Sequence, residues 1–232
     1  MIKKERPILF NTEMIKALNL NLKTETRRTR GLEYINDNPK VWEVETVGID
    51  KKTDKLCVIF KHKNLAISKK ILCPCGLGGD RLWVRETVSK MPSGRAFLYK
   101  DGAQLDDSCE YMLPPTEEMV DNTYWDLVKG SKWIPSIHMP KIASRLKIEL
   151  DEICIEKLQD ITHEGCRNEG IEREWDGEHD WYKCYSSKTG QMTSDAKLSY
   201  QSLWGEINGI KEWNRNPFVW VLKFKVIQIY NG

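Results

Sequence analysis

The chain has 232 residues, 40% of them apolar and 30% charged, with a net charge of +2, so it has the composition of an ordinary globular protein able to bury a core without staples. That charge excludes a uniformly basic carpet for duplex DNA but leaves room for a local basic groove, because clustering decides nucleic-acid binding. No apolar run approaches the ~18 residues of a membrane helix, no export signal is read at Met1–Pro7, and the seven irregularly spaced cysteines read as reduced thiols, which together predict a cytoplasmic protein.

In chain order, Pro7–Phe10 reads as a short strand. A helix follows, capped by Asn11 or Thr12, with Glu13 in its first turn and Met14, Leu18 and Leu22 along one face. Strands are expected at Val41–Val47 and Leu56–Phe60, and the Gly/Pro-dense turn Cys73–Asp80 delivers another at Arg81–Val88. In that last strand Leu82 and Val84 alternate with Arg81, Trp83 and Arg85, a pattern suited to the wall of a groove. Residues 89–132 read as an insertion with a helical stretch near 116–128. Trp133–Pro140 reads as a loop held by two prolines, and Leu146–Asp151 as a half-buried strand.

Thr162 is a helix N-cap, with Ile161 and Cys166 at hydrophobic-staple spacing and Gly170 as the stop. Residues 172–193 read as a polar loop or flap. The strongest helix opens at Ser194 or Asp195, carries Tyr200, Leu203, Trp204 and Ile207 on one face, and closes at Gly209. The segment from Pro217 to Ile229 alternates as a long strand covered on both faces. Strands at both ends with short helices between them predict an α+β fold built on a small mixed β-barrel, in a single domain over 1–232. Most of the nine tryptophans are expected in the core, with exposed ones available to stack on bases.

Three segments carry candidate chemistry. In Lys23-Thr24-Glu25-Thr26-Arg27-Arg28, a lysine and a threonine hydroxyl three residues apart form a nucleophile-plus-base pair only if they converge on a helical turn or tight loop. Lysine acts as a base only when neutral, and burial beside Arg27 and Arg28 pushes it that way. In Arg81–Glu86 the arginines can contact phosphates and Glu86 can pair with one of them. Glu169 lies near a helix C-terminus, where an acid is ordinarily just solvated. Cys73-x-Cys75 lacks zinc spacing and the histidines are scattered, so neither a metal nor another cofactor is expected.

Taken in order, Arg6–Phe10, Lys23–Arg28, Cys73–Glu86, Pro135–Pro140, Leu158–Ile161, and Leu203-Trp204 with Trp220-Val221 resemble phage and prophage proteins with an ASCH-like domain of the PUA-like superfamily. The resemblance covers most of the chain, with segments at about 31–70, 100–130 and 172–193 as insertions. It implies a PUA-like (ASCH) β-barrel whose groove binds a nucleobase, a nucleoside, or single-stranded or modified nucleic acid. Small bacterial ASCH proteins deacetylate N4-acetylcytidine, and their lysine, threonine and glutamate fall here on Lys23, Thr26 and Glu169. Thr24, Arg27, Arg28, Arg81, Trp83, Arg85, Glu86, Ser136 and His138 are the expected ligand contacts. Two functions follow as alternatives: a binding module, or an amidohydrolase acting on an N4-acylcytosine-type base. A third is a phage accessory protein working through protein contacts.

Overall fold

The structure is a computed structural model that describes residues 5–90, 97–99, 104–105, 111–112, 132–186 and 190–229. It is a mixed α+β protein, and the chain divides into two compact units: Met1–Asn21, Asp80–Glu149 and Lys225–Gly232 in the first, Leu22–Gly79 and Leu150–Phe224 in the second. The strands in chain order are β1 (Glu5–Leu9), β2 (Glu25–Arg28), β3 (Trp42–Asp50), β4 (Lys55–His62), β5 (Ser68–Leu72), β6 (Arg81–Arg85), β7 (Val88–Lys90) and β8 (Phe97–Tyr99). They continue with β9 (Gln104–Leu105), β10 (Tyr111–Met112), β11 (Trp133–Ile134), β12 (Leu146–Lys157), β13 (Arg173–Trp175), β14 (Asp180–Lys183), β15 (Met192–Thr193) and β16 (Phe218–Ile229). The α-helices are α1 (Thr12–Asn19), α2 (Glu33–Asn36), α3 (His163–Asn168), α4 (Ala196–Asn208) and α5 (Ile210–Arg215). Among the described residues no ring of paired strands closes into a barrel, and no helix is long and apolar enough to cross a membrane.

In the first unit β1 runs parallel to β6, with Ile8 opposite Val84, and β6 runs antiparallel to β12, with Leu82 opposite Ile148. The expected alternation of β6 is present: Leu82 and Val84 are buried while Arg81, Trp83 and Arg85 are half-buried. The strand breaks after Arg85 and resumes as β7, the inner neighbour of β8 and β11 in a separate antiparallel sheet. Asn11 caps α1 by accepting from the Met14 amide at 2.8 Å, and Ile15 and Leu18 are its buried face. The helix stops before Leu22, which is exposed, because Asn21 turns the chain in the left-handed region at φ 55°. The expected helix near 116–128 lies outside the described residues.

In the second unit β16 pairs antiparallel with β2, placing Leu222 opposite Thr26 and Val221 opposite Arg27. Phe218 to Leu222 are all buried, so both faces of that part of β16 are covered, as its alternation predicts. One face joins a core of Leu158, Ile161, Cys166, Tyr200, Trp204 and Trp213. Thr162 caps α3 by accepting from the Gly165 amide at 3.0 Å, and Gly170 ends it at φ 83°. Asp195 caps α4, whose Tyr200 and Trp204 are buried, although Ile207 of the same expected stripe is exposed. Two segments expected as insertions are ordered sheets, the first built on the strands expected at Val41–Val47 and Leu56–Phe60. β3, β4 and β5 form an antiparallel meander over 42–72, and β13, β14 and β15 form another where a loop was expected. The latter is made of strands too short and polar to show a period of two.

Candidate functional site

Lys23 to Arg28 do not form the helical turn on which the convergence of Lys23 and Thr26 was expected. Glu25–Arg28 is strand β2, and the residues before it are strapped on both sides. Lys23 makes an isolated antiparallel bridge to Glu169, the Thr24 amide donates to the Asn168 carbonyl at 2.8 Å, and the Phe224 amide donates to the Thr24 carbonyl at 2.9 Å. Neighbouring strand residues point to opposite faces, so Thr26 and Arg27 leave β2 on different sides.

These straps put Glu169 at the centre of a buried polar cluster. Glu169 is 4% exposed, not solvated, because it caps α3 where the chain turns back against Lys23. Lys23 Nζ donates to Glu169 Oε2 at 2.6 Å and to the Glu169 carbonyl at 2.7 Å. Arg27 Nη1 donates to Glu169 Oε1 at 3.2 Å, and the Tyr200 hydroxyl reaches the same oxygen at 3.2 Å. Arg27 also donates to Glu156 at 2.7 Å and to Glu25 at 3.4 Å, while Asn168 Nδ2 donates to Glu25 at 3.2 Å. Gly165 permits this packing: a Cβ there would lie 2.9 Å from Arg27 Nη2.

Charge states follow from burial and from these neighbours. Burial pushes the Lys23 ammonium below the ordinary lysine range; Glu169 opposes this, and Arg28 and Arg27 add to it. Burial pushes the Glu169 carboxyl up, but Lys23 and Arg27 overcome it and hold the group below the usual range. The Tyr200 hydroxyl is raised by burial and by the Glu169 charge, so it stays protonated and donates. Thr26, 1% exposed, has an Oγ1 with no hydrogen-bond partner in the protein. A buried hydroxyl without a partner in the protein is costly, and strain, a catalytic role or a bound water are the usual reasons one is kept.

Beside Arg27 lies a pocket of about 270 Å³ lined by Glu25, Glu156, Thr162, Glu164, Asn168 and Lys223 among others. Of the other expected contacts in this unit, Thr24 is exposed and Arg28 is half-buried on the Thr26 side of the strand. Sequence reasoning missed Tyr200, Glu25, Glu156 and Asn168. Tyr200 was legible only as an apolar position of α4, and Glu156 lies in the continuation of β12 beyond the alternation that marked its start.

The remaining expected contacts lie in the first unit, where Arg81, Trp83, Arg85 and Glu86 have local structural partners. Arg81 Nε donates to Glu149 at 3.3 Å across β6 and β12. Arg85 stands 5.2 Å from the Trp83 ring and donates to the carbonyls of Ile137 and Met139, at 3.1 Å in the second case, holding the turn that carries half-buried Ser136 and exposed His138. Glu86 is buried and accepts from Arg145 Nε at 2.9 Å and Nη2 at 2.7 Å, and the Arg145 guanidinium lies 4.2 Å from the Tyr99 ring centroid. Among the described residues no group of three or more histidine, cysteine or acidic side chains is placed to hold a metal ion.

Comparison of the chain with protein-family models, with curated proteins and with solved structures gave no match.

Proposed function

We propose that the second unit binds an acylated nucleobase or nucleoside of the N4-acylcytosine type and hydrolyses its amide. One observation carries the reading. Lys23 and Glu169, 146 residues apart in sequence, meet at 2.6 Å in a buried position, on the strand segment that also carries the unpartnered hydroxyl of Thr26. In the reaction a neutral Lys23 accepts the Thr26 proton through one intervening water, since Oγ1 has no hydrogen-bond partner in the protein, and Oγ1 attacks the acyl carbon. The C–N bond then breaks, and the amine leaves with a proton relayed through Glu169. Water hydrolyses the resulting threonine ester, releasing the acid and freeing the hydroxyl. Tyr200 and Arg27 position the glutamate.

The pocket beside Arg27 is lined from the Glu25 and Arg27 side of β2, not by Thr26, and it favours a neutral group over an anion. Its carboxylates, Glu25, Glu156 and Glu164, outnumber its cations, Arg27 and Lys223, which disfavours a phosphate there. Its volume of about 270 Å³ suits a group of nucleobase size, below the ~300–1,000 Å³ of drug-sized pockets. The same proposal takes the chain as a phage or prophage ASCH-type protein of the PUA-like superfamily working in the host cytoplasm. The order of its motifs along the chain supports that assignment.

The test is incubation with N4-acylated cytosines, cytidines and deoxycytidines, following the products by chromatography. The expected result is deacylation that falls by about 10²–10⁴ in Lys23→Ala and is lost in Thr26→Ala. Full turnover in Lys23→Ala overturns the mechanism. Retention of the base without turnover in the wild type leaves a binding module instead.

A further inference from the structure

The 31–72 segment, which lies outside the cluster around Glu169, builds an aromatic and cationic surface of its own in the second unit. Tyr34, on α2, is 55% exposed. Its ring centroid lies 5.9 Å from that of Trp42, which in turn meets the His62 ring edge-on at 5.1 Å. Trp42 and His62 face one another across β3 and β4, so strand register fixes this run of rings. Lys69, on β5, holds its ammonium 4.8 Å from the Tyr34 ring centroid.

Further cations gather at the same end of the meander. The Lys63 amide donates to the Val41 carbonyl, which places Lys63 next to the turn at Pro39–Val41. Lys157 Nζ donates to the Pro39 carbonyl at 2.6 Å and lies 3.7 Å from the Phe218 ring centroid. Lys40 is exposed in that turn. None of Lys40, Lys63, Lys69 and Lys157 forms an ion pair among the described residues, whereas Lys70 pairs with Asp50 and Lys61 stands opposite Glu43 on the same sheet. Burial, and then the charge of Lys63, bring Lys157 down to about 8 against the pull of Asp160.

We propose that this surface holds a single-stranded nucleic-acid segment, with a base stacked on Tyr34 and phosphates on Lys63, Lys69 and Lys157. An arriving base displaces the Lys69 ammonium from the ring onto the strand's own phosphate. An exposed aromatic ring, here Tyr34 backed by buried Trp42, edged by lysines outside ion pairs is what sequence-tolerant single-strand binding uses: every base offers a π-face and the backbone supplies the charge. The acid-rich pocket beside Arg27 lacks such a phosphate handle. The inference does not rest on amide hydrolysis, and it stands if the Glu169 cluster does no chemistry.

Fluorescence anisotropy of the full chain with labelled single-stranded RNA and DNA of about 12 nucleotides, a length within single-strand site sizes, tests it. The expected result is salt-dependent binding of one or both, weakened about tenfold in Tyr34→Ala. In Lys63→Ala/Lys69→Ala the slope of log affinity against log salt should fall by about 0.7 for each lysine removed. Both of these lysines lie on the meander's surface, so the double variant keeps the test valid should Tyr34→Ala fold poorly. Lys51→Ala/Lys52→Ala, in the turn at the far end of β3, should bind as the wild type does. The proposal is overturned by no binding at low salt, by equal weakening in the Lys51/Lys52 control, or by polyglutamate competing as well as the oligonucleotide, which would make the partner an acidic protein.

Discussion

Each unit of the protein buries an ionic cluster, and the two are built differently. In the first, a carboxylate and a guanidinium meet fork to fork: Glu86 takes two bonds from Arg145, which lies over Tyr99. In the second, a single carboxylate, Glu169, is shared by Lys23, Arg27 and the Tyr200 hydroxyl. The planar guanidinium matches a carboxylate fork to fork and remains charged, so the Glu86 pair is a fixed strut. Lysine is a point charge whose proton is lost readily on burial, so the Glu169 cluster can change its charge state. A matched buried pair is a structural feature, while a shared carboxylate beside an unpartnered hydroxyl is equipped for chemistry.

Breaking the strut has the larger effect on folding. Glu86→Ala removes both of these bonds from buried Arg145 and should cost about 3–5 kcal/mol, read from urea unfolding. Lys23→Ala should cost less stability, because Glu169 keeps Arg27 and Tyr200, and should instead abolish most turnover. Equal losses of stability from the two substitutions would erase the distinction. A smaller effect sharpens it. Gly165→Ala places a Cβ 2.9 Å from Arg27 Nη2, and Arg27 is pinned by Glu156, Glu25 and Glu169, so the guanidinium cannot swing away freely. We expect a cost of about 1–3 kcal/mol in thermal unfolding, with turnover falling as Glu169 is displaced.

Much of the local structure was legible in the sequence. The caps at Asn11, Thr162 and Asp195 are set by side-chain chemistry within three residues, and the alternation of β6 and β16 is carried by their own residues. The meander over 42–72 was legible as two strands but not as a unit, because β5 is a short polar edge strand, Ser68-Lys69-Lys70-Ile71-Leu72. Of the candidate site, the residue types at Lys23 and Glu169 were legible and their meeting was not. It depends on an isolated bridge between segments 146 residues apart, which no local pattern encodes. The helical turn expected to bring Lys23 and Thr26 together is absent because β2 is held extended by its partner β16, a tertiary pairing that overrides the turn suggested by the preceding helix.

The charge state of Lys23 is the point on which the account turns. Its folded value lies below the ordinary lysine range near ~10.4, so folding favours the neutral amine, and stability rises with pH from the folded value up to the unfolded one. Glu169 runs the opposite way: its contribution is complete above the unfolded value near ~4.3 and is lost as the pH falls through the lower, folded value. The most direct test is an NMR titration of lysine side chains, with the Lys23 resonance assigned by its loss in Lys23→Arg. The account predicts that Lys23 releases its proton at lower pH than the exposed lysines, and at lower pH still in Glu169→Gln. A Lys23 that titrates with or above the exposed lysines would contradict it, leaving the cluster a second strut.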